Sequence, residues 1–445
     1  MIFWGKNNYI VLIYLSCYFC SLEDNVDMDI EMAHADNNMD VESSNEDIVQ
    51  LTEAAYEDEI ARFKEELKIY FNKLTKSNDT VIIYCRRETI FYSAIAYLFV
   101  LEKVELLKYN YSVKFIDEIG QDGGGLSKEY FTLFIQEIFK PERKLFYSPS
   151  GDTSGIIPMK YCSGTNPQIR NLAYKTLGII MALMLRKSII ADVRFDPIVW
   201  KKILEIDITT EDFENIDKNY YRNLMSLKEN KDLLEDSELT FVDEDGIELK
   251  TDGKNIVVDE TNVDEYIDTL LKHKYSKNIS EECDLIKEGL HKVIPKDMLL
   301  GKLSQSSFQK LICGESFIDI EDWKANTKYT DESYVSGGEK FTEDSQEIIW
   351  FWNVMESLTQ EERSKVLYYV TGSRKPPVGG FKNLCIGNRK ELFNILPDGK
   401  EKIDKLPWAR TCMNRLYLSN FSSEEVLRKN LLIALEWPEK EFDIA

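Results

Sequence analysis

The chain has 445 residues, and its composition of 43% hydrophobic and 30% charged residues predicts two or three packed domains. Its 78 acidic residues outnumber the 55 basic ones, and the net charge of −23 argues against nucleic acid as a partner, because such a surface repels phosphate groups. Eight dispersed cysteines and three histidines predict neither a bound metal nor a disulfide framework, so we expect no metal and no cofactor. Reduced thiols of this kind are typical of the cytoplasm or nucleus.

The N-terminal residues 1–22 contain an apolar run from Tyr9 to Leu22, preceded by one basic residue, Lys6. The run is short for a membrane-spanning helix and has about the length of a signal-peptide core, so a signal peptide and a membrane anchor both stay open. Residues 23–48 are rich in Asp and Glu and contain no Lys or Arg, which predicts a disordered linker.

Residues 49–79 have the spacing of an amphipathic helix. Apolar side chains recur there at steps of three and four, which places them on one face: Ile60, Phe63, Leu67, Phe71 and Leu74. We expect this helix to precede the main domain.

The stretch "QDGGGLSKEYF" holds three consecutive glycines, Gly123 to Gly125, between a strand-like and a helix-like segment. It lacks the glycine spacing of a phosphate-binding loop. A tight strand-to-helix turn is favoured, with Ser127 as the cap of the following helix.

The middle of the chain contains a helix that is apolar almost all round, "NLAYKTLGIIMALMLRKSII", and we expect it to be buried. Residues 206–294 are more charged and read as a smaller α/β subdomain. Within it, the Asp245-Gly246 and Asp252-Gly253 pairs predict turns between short strands.

The C-terminal part begins after the aromatic segment "IIWFWNVM", and a domain boundary is predicted near Met355–Thr359. Beyond it the sequence is turn-rich and α/β in character. The last helix has a predicted capping box, Ser422 with Glu425.

Cys412 lies in a polar loop near the C-terminus, with Arg410 and Thr411 before it, which is an unusual place for a buried cysteine. A thiolate there could attack a thioester, and Arg410 would favour the thiolate. Hydrolysis of the papain type also needs a histidine beside the sulfur, whereas His273 and His291 both lie far upstream.

Several blocks of the sequence, in order, resemble HECT-type E3 ubiquitin ligases. They cover about residues 80 to 445, and the most specific is "LPWARTCMNRLYL" followed by "FSSEEVLRKNLLIALE". Others are "VKFIDEIGQDGGGLSKEYF", "LICGESFIDIEDWKANTKY" and "YYVTGSRKPPVGGF".

The resemblance implies an α+β, bilobal HECT fold. It assigns residues 80–355 to a mostly helical N-lobe, whose inserted α/β subdomain, about residues 206–294, binds an E2 conjugating enzyme. Residues 356–359 would be a hinge, and residues 360–445 a small α/β C-lobe that carries the catalytic cysteine.

The resemblance also implies the chemistry. Cys412 would accept ubiquitin from E2 as a glycyl thioester and pass it to a substrate lysine, with Thr411 beside the nucleophile and Phe442 as an apolar tail residue used in transfer. Arg410 stands where the family usually has His, and Met413 where it has Phe. Because Arg does not accept protons, any acid–base role of that His is in doubt here.

The expected partners are therefore an E2 enzyme, ubiquitin and protein substrates, in the cytoplasm or nucleus, and the N-terminal run leaves a membrane tether open. Two alternatives remain. One is a catalytically weakened scaffold that binds E2 or ubiquitin without turnover, and the other is a cysteine hydrolase.

Overall fold

The computed structural model describes residues 2–4, 9–12, 46–75, 80–96, 110–118, 122, 124–151, 155–160, 166–230, 234, 238–329, 340–386, 389–399 and 403–436. Its α-helices are α1 (Glu46–Leu74), α2 (Gly125–Ile138), α3 (Pro167–Arg186), α4 (Pro197–Ile203), α5 (Lys218–Glu229), α6 (Val263–Leu271), α7 (Ser280–Val293), α8 (Lys296–Leu299), α9 (Gln305–Cys313), α10 (Ile320–Ala325), α11 (Gln346–Ser357), α12 (Gln360–Thr371) and α13 (Glu424–Glu436).

The strands form two four-stranded sheets and two short hairpins. They are β1 (Ile2–Trp4), β2 (Tyr9–Leu12), β3 (Thr80–Cys85), β4 (Asn110–Phe115), β5 (Phe146–Tyr147), β6 (Ile157–Pro158), β7 (Thr327–Lys328), β8 (Cys385–Ile386), β9 (Arg389–Lys390), β10 (Phe393–Pro397), β11 (Trp408–Arg410) and β12 (Arg415–Leu418). The sheet orders are β1-β2-β3-β4 and β11-β12-β10-β7.

The first of two apolar cores is centred on α3, which is buried on nearly all sides, as its sequence predicts. Helix α7 crosses α3 where two glycines meet the opposite backbone. A Cβ at Gly178 would lie 1.9 Å from the Ile286 carbonyl oxygen, and one at Gly289 would lie 2.0 Å from the Lys175 carbonyl oxygen. Only glycine permits this approach, so the two glycines determine where the helices cross.

The predicted N-terminal helix is present as α1, and four of its five predicted face residues are buried in the first core: Ile60, Phe63, Leu67 and Phe71. Of the apolar run at the N-terminus, Tyr9–Leu12 is strand β2, which pairs in parallel with β3. The rest of the run, and the acidic linker as far as residue 45, lie outside the described residues, so the signal, anchor and linker assignments stay predictions. Among the helices of the described ranges, none combines the length and apolarity needed to cross a membrane.

The charged region 206–294 contains α5, α6 and α7. The predicted strands there are present only as isolated bridges, Thr240 to Val257 and Val242 to Glu248. The predicted turns are observed, since Gly246 and Asp252 have φ of 78° and 60°. The subdomain is thus more helical than its sequence pattern indicates, although its buried aromatic residues join the first core.

The second core is built by the β11-β12-β10-β7 sheet together with α10 to α13. Trp323 of α10 is fully buried at its centre. Its ring stacks on Phe381 at a centroid distance of 4.7 Å and meets Phe393 of β10 edge-on at 5.1 Å. Helix α10 and strand β7 therefore belong to the same unit as the C-terminal strands.

The boundary between the two cores differs from the predicted one. The chain passes from the first core to the second between Cys313 and Ile318. Met355 and Leu358 are buried inside the second core, because α11 and α12 both direct apolar side chains into it. The packing therefore assigns the chain from Ile318 to the second lobe, apart from Val378, whose side chain packs in the first core. The predicted hinge residues 356–359 thus lie inside the second lobe.

Candidate active site around Cys412

Cys412 lies on a single 3₁₀ turn, Thr411–Met413, which joins strands β11 and β12. The two strands pair antiparallel, with Arg410 opposite Arg415. Further along the same pair the rings of Trp408 and Tyr417 stack, with centroids 3.9 Å apart and planes 4° from parallel. The paired strands and stacked rings hold the turn in place at the rim of the second core.

Asn414 closes the turn, although its sequence position alone indicated only a polar neighbour of the thiol. Its φ of 49° lies in the left-handed region, which Asn adopts more readily than most residues. Its Nδ2 donates to the Glu391 carbonyl at 2.7 Å, and its own carbonyl accepts from Asn394 N at 3.0 Å. The available signal was the Thr-Cys-x-Asn pattern, in which Asn combines a tight turn with buried hydrogen bonds.

The exposure of Cys412 separates it from most other cysteines that the structure describes. Cys85, Cys283 and Cys313 are buried, and burial raises the pKa of each thiol to about 12. Cys412 and Cys385 are only partly buried. Burial also raises the pKa of Cys385. The buried thiols are held in the protonated form, which is a poor nucleophile.

The face opposite Cys412 is the N-terminus of α2. A Cβ placed on Gly125, the first residue of α2, would lie 3.2 Å from Cys412 Cβ and 3.4 Å from its Cα. Gly124 has φ 112°, which supports the predicted tight turn into the helix. The glycine stretch therefore meets the cysteine turn across the boundary between the lobes.

Asp122, not Ser127, caps α2. Its Oδ1 accepts hydrogen bonds from Gly124 N at 2.8 Å and Ser127 N at 3.2 Å, and its Oδ2 accepts from Val113 N at 2.8 Å and from Ser127 Oγ. A carboxylate at this position also suits the positive end of the helix dipole. The predicted cap was wrong because an Asp before the glycines reaches the same amides.

Lys187 stabilises this cap through two further hydrogen bonds. Its Nζ donates to the Tyr111 carbonyl at 2.9 Å and to Ser127 Oγ at 3.1 Å. Burial lowers the pKa of Lys187 to about 8, and the nearby Asp122 carboxylate opposes that shift. The loop that faces Cys412 thus rests on a network of fixed polar contacts.

Comparison with known proteins identifies the family of the chain. The HECT-domain (ubiquitin-transferase) family model matches residues 132–445. The chain belongs to the HECT-domain family. The match spans both cores and includes the cysteine turn, while the glycine stretch lies just before it.

Curated relatives of this HECT domain are larger proteins. The chain is 30% identical over 388 residues to the E3 ubiquitin-protein ligase TOM1 of Saccharomyces cerevisiae, covering 85% of this chain and 12% of that protein. It is 35% identical over 337 residues to pub1 of Schizosaccharomyces pombe (74% and 42%) and 32% identical over 393 residues to HUWE1 of Mus musculus (86% and 8%). It therefore spans less than half the length of each.

The remaining predicted site residues are placed as follows. Thr411 opens the cysteine turn and lines a crevice between the lobes together with Gly125 and Lys128. Arg410 ends β11 and is exposed. Phe442 lies outside the described residues, so its role stays a prediction.

The two described histidines of the HECT domain are engaged in the inserted subdomain. His273 Nδ1 lies 3.3 Å from Asp243 Oδ2, and His291 Nδ1 lies 3.2 Å from the Ile294 carbonyl oxygen. Neither contact involves the cysteine turn. A Cys-His hydrolase site is therefore not assembled by the described residues around Cys412.

Proposed function

We propose that this HECT domain is a ubiquitin transferase that carries ubiquitin as a thioester on Cys412. The observation that supports the assignment is the partly exposed thiol on a rigid turn at the rim between two lobes, in a chain of the HECT family. A nucleophile there combines fixed geometry with access for a second protein.

The first step exchanges one thioester for another. The Cys412 thiolate attacks the carbonyl carbon of the ubiquitin C-terminal glycine, which is held on the E2 cysteine. A new C–S bond forms, the old one breaks, and the E2 sulfur leaves as a thiolate. Because attacking and leaving groups are both thiolates, the exchange needs little driving force and no strong acid catalyst.

The second step forms an amide bond. The amine of a substrate lysine attacks the thioester carbon, Cys412 leaves as a thiolate, and the amine proton is lost to a base or to solvent. Arg410, at the position of the family histidine, does not accept that proton. Arg410 is proposed only as a supporting residue beside the nucleophile. Thr411 and Phe442 are proposed as supporting residues on the resemblance alone.

The proposed partners follow from the same steps. We assign E2 binding to the inserted subdomain, residues 206–294, which leaves substrate selection to other surfaces. Because Cys412 meets α2 in this arrangement, the second lobe must move to present the thiol to E2 and then to a lysine. We assign that movement to the connection between Cys313 and Ile318, where the chain passes from the first core to the second, because the predicted hinge residues 356–359 lie within the second core.

The test is incubation with E1, a panel of E2 enzymes, ATP and fluorescent ubiquitin. An adduct that is cleaved by thiol reductants is expected, and Cys412→Ala should abolish it, whereas the matched variant Cys385→Ala should retain it. An adduct that survives in Cys412→Ala would contradict the assignment.

Two other outcomes identify the alternatives. Capture of E2 without any adduct would indicate a scaffold. Cleavage of a ubiquitin C-terminal reporter without E2 would indicate a hydrolase.

A further inference from the structure

Lys128 crosses the boundary between the lobes. It lies in the first turn of α2, which begins at Gly125. Its Nζ donates a hydrogen bond to the backbone carbonyl of Thr371 in the second lobe. Its stem runs beside Gly372, since a Cβ placed there would lie 3.6 Å from Lys128 Cδ and 3.8 Å from Cε. One side chain of the first lobe therefore reaches the backbone of the second.

The acceptor is the C-terminus of α12. Thr371 is the last residue of that helix, and Gly372 ends it in the left-handed conformation, φ 69°. The last four carbonyls of a helix have no partner within it, and its C-terminus carries partial negative charge. The ammonium group of Lys128 thus provides from the opposite lobe the hydrogen bond and the charge that this helix end lacks.

Both ends of this contact adjoin the cysteine turn. Gly125, on the same helix end as Lys128, packs against Cys412. Thr411 lines the same crevice as Lys128, Thr371 and Gly372. Holding α2 against the end of α12 therefore also holds it against the turn that carries the thiol.

We propose that Lys128 is a positioning residue that latches the two lobes and limits the access of other molecules to Cys412. The contact itself is a feature of the fold, whereas its consequence for ubiquitin loading rests on the proposed function. A second contact between the lobes, the ion pair of Lys375 and Asp192 at 3.0 Å, does not involve α2 or the cysteine turn. Loss of Lys128 alone should therefore loosen the closed arrangement without separating the lobes completely.

The first experiment measures the alkylation rate of Cys412 by iodoacetamide, followed by peptide mass spectrometry. Lys128→Met keeps most of the stem and removes the donor, and it should raise the rate roughly threefold to tenfold, the range expected on losing one hydrogen bond of ordinary net strength. Lys128→Arg, which can still donate to the carbonyl, should remain near the wild-type rate.

The matched control is Lys140→Met, because Lys140 follows the other end of α2 and pairs with Glu137. It should leave the rate unchanged. A thermal melt of each variant checks that the fold is intact. An unchanged rate in Lys128→Met, or an equal rise in the Lys140 or Arg variant, overturns the latch.

The second experiment measures ubiquitin loading from pre-charged E2 in a single turnover. Lys128→Met should load several-fold faster than wild type, because the second lobe leaves α2 more often. Faster alkylation without faster loading would overturn the link to transfer. If wild type never loads but the alkylation difference is present, the proposed function fails and the latch stands. If wild type loads but the alkylation rates are equal, the latch fails and the proposed function stands.

Discussion

Two interfaces of this HECT domain are built around glycines, and they differ in how closely the opposing segments meet. Where α3 crosses α7, virtual Cβ atoms at Gly178 and Gly289 fall 1.9 and 2.0 Å from backbone oxygens. Where α2 meets the cysteine turn, the corresponding distance from Gly125 is 3.2 Å, to a side-chain carbon. The first interface excludes any side chain, and the second is a tight van der Waals contact.

The charged groups of the two interfaces show the same contrast. Arg170 and Glu282 join α3 to α7 by an ion pair of 2.5 Å, with side chains only 6% and 4% exposed. Between the lobes, Lys128 contacts a backbone carbonyl, and the ion pair of Lys375 and Asp192 has side chains that are 33% and 26% exposed. The buried ion pair favours an interface that stays closed, whereas the more exposed contacts between the lobes allow that interface to open.

The largest expected effect is that of Gly289→Ala. A methyl group 2.0 Å from the Lys175 carbonyl oxygen forces the two helices apart. The methyl group and the oxygen are both fixed by helix backbone, so no side-chain rotation can relieve the clash. We expect a loss of about 4 kcal/mol or more in the free energy of unfolding, measured by urea denaturation. Asn171→Ala, at an exposed position of α3, is the control and should change little. Near-wild-type stability in Gly289→Ala would show that the crossing is not rigid.

A somewhat smaller effect is expected from Glu282→Leu. This substitution leaves the Arg170 guanidinium without its carboxylate in the interior, and breaking a buried pair on one side costs about 3 kcal/mol. The matched variant is Glu288→Leu, because Lys175 and Glu288 also join α3 to α7 but the glutamate is 50% exposed. That pair should contribute less than about 1 kcal/mol. Equal losses in the two variants would remove the distinction between the buried and exposed pairs.

Gly125→Ala applies the same change at the interface between the lobes. The added methyl group requires a shift of only a few tenths of an ångström, which movement of the second lobe can supply. We expect a stability loss of about 1 kcal/mol or less, since no core contact is broken, together with faster alkylation of Cys412. A loss as large as that of Gly289→Ala would indicate that the lobes form one rigid unit.

The sequence was most informative where a pattern was local. The amphipathic spacing predicted α1 and its buried face, and the motif around Cys412 predicted the candidate site, whose catalytic role stays a prediction. The final helix, α13, shows the limit of such patterns. Ser422, the predicted cap, donates a hydrogen bond to Asp404, whereas Ser423 Oγ accepts the capping hydrogen bond from Val426 N. Two adjacent serines could not be distinguished without the position of Asp404.

Long-range packing was harder to predict. The boundary predicted near Met355 followed a change in composition along the sequence. The observed boundary depends instead on which core contains Trp323 and the aromatic side chains of α11. The contact between Gly125 and Cys412 joins residues far apart in the chain, and the glycine run indicated only a turn. The residues around Lys128 in the sequence do not distinguish it from the other lysines.

A prediction of a different kind, a dependence of stability on pH, concerns Lys187, which supports the α2 cap from within the first lobe. Its folded pKa of about 8 lies below the ordinary lysine value of 10.5 because the side chain is buried. Between these two pH values the unfolded chain holds more protons than the folded one, so this group's contribution to stability rises with pH. Wild type minus Lys187→Met should therefore show a difference in unfolding free energy that grows from pH 7 to pH 10.

Buried thiols such as Cys283 act oppositely, since their raised pKa removes stability above about pH 9, but they are present in both proteins and cancel. Urea titrations at each pH provide the measurement. A difference that stays flat would mean that Lys187 is as well solvated in the folded protein as in the unfolded chain, and a difference that falls would mean that the folded protein holds the lysine proton more tightly.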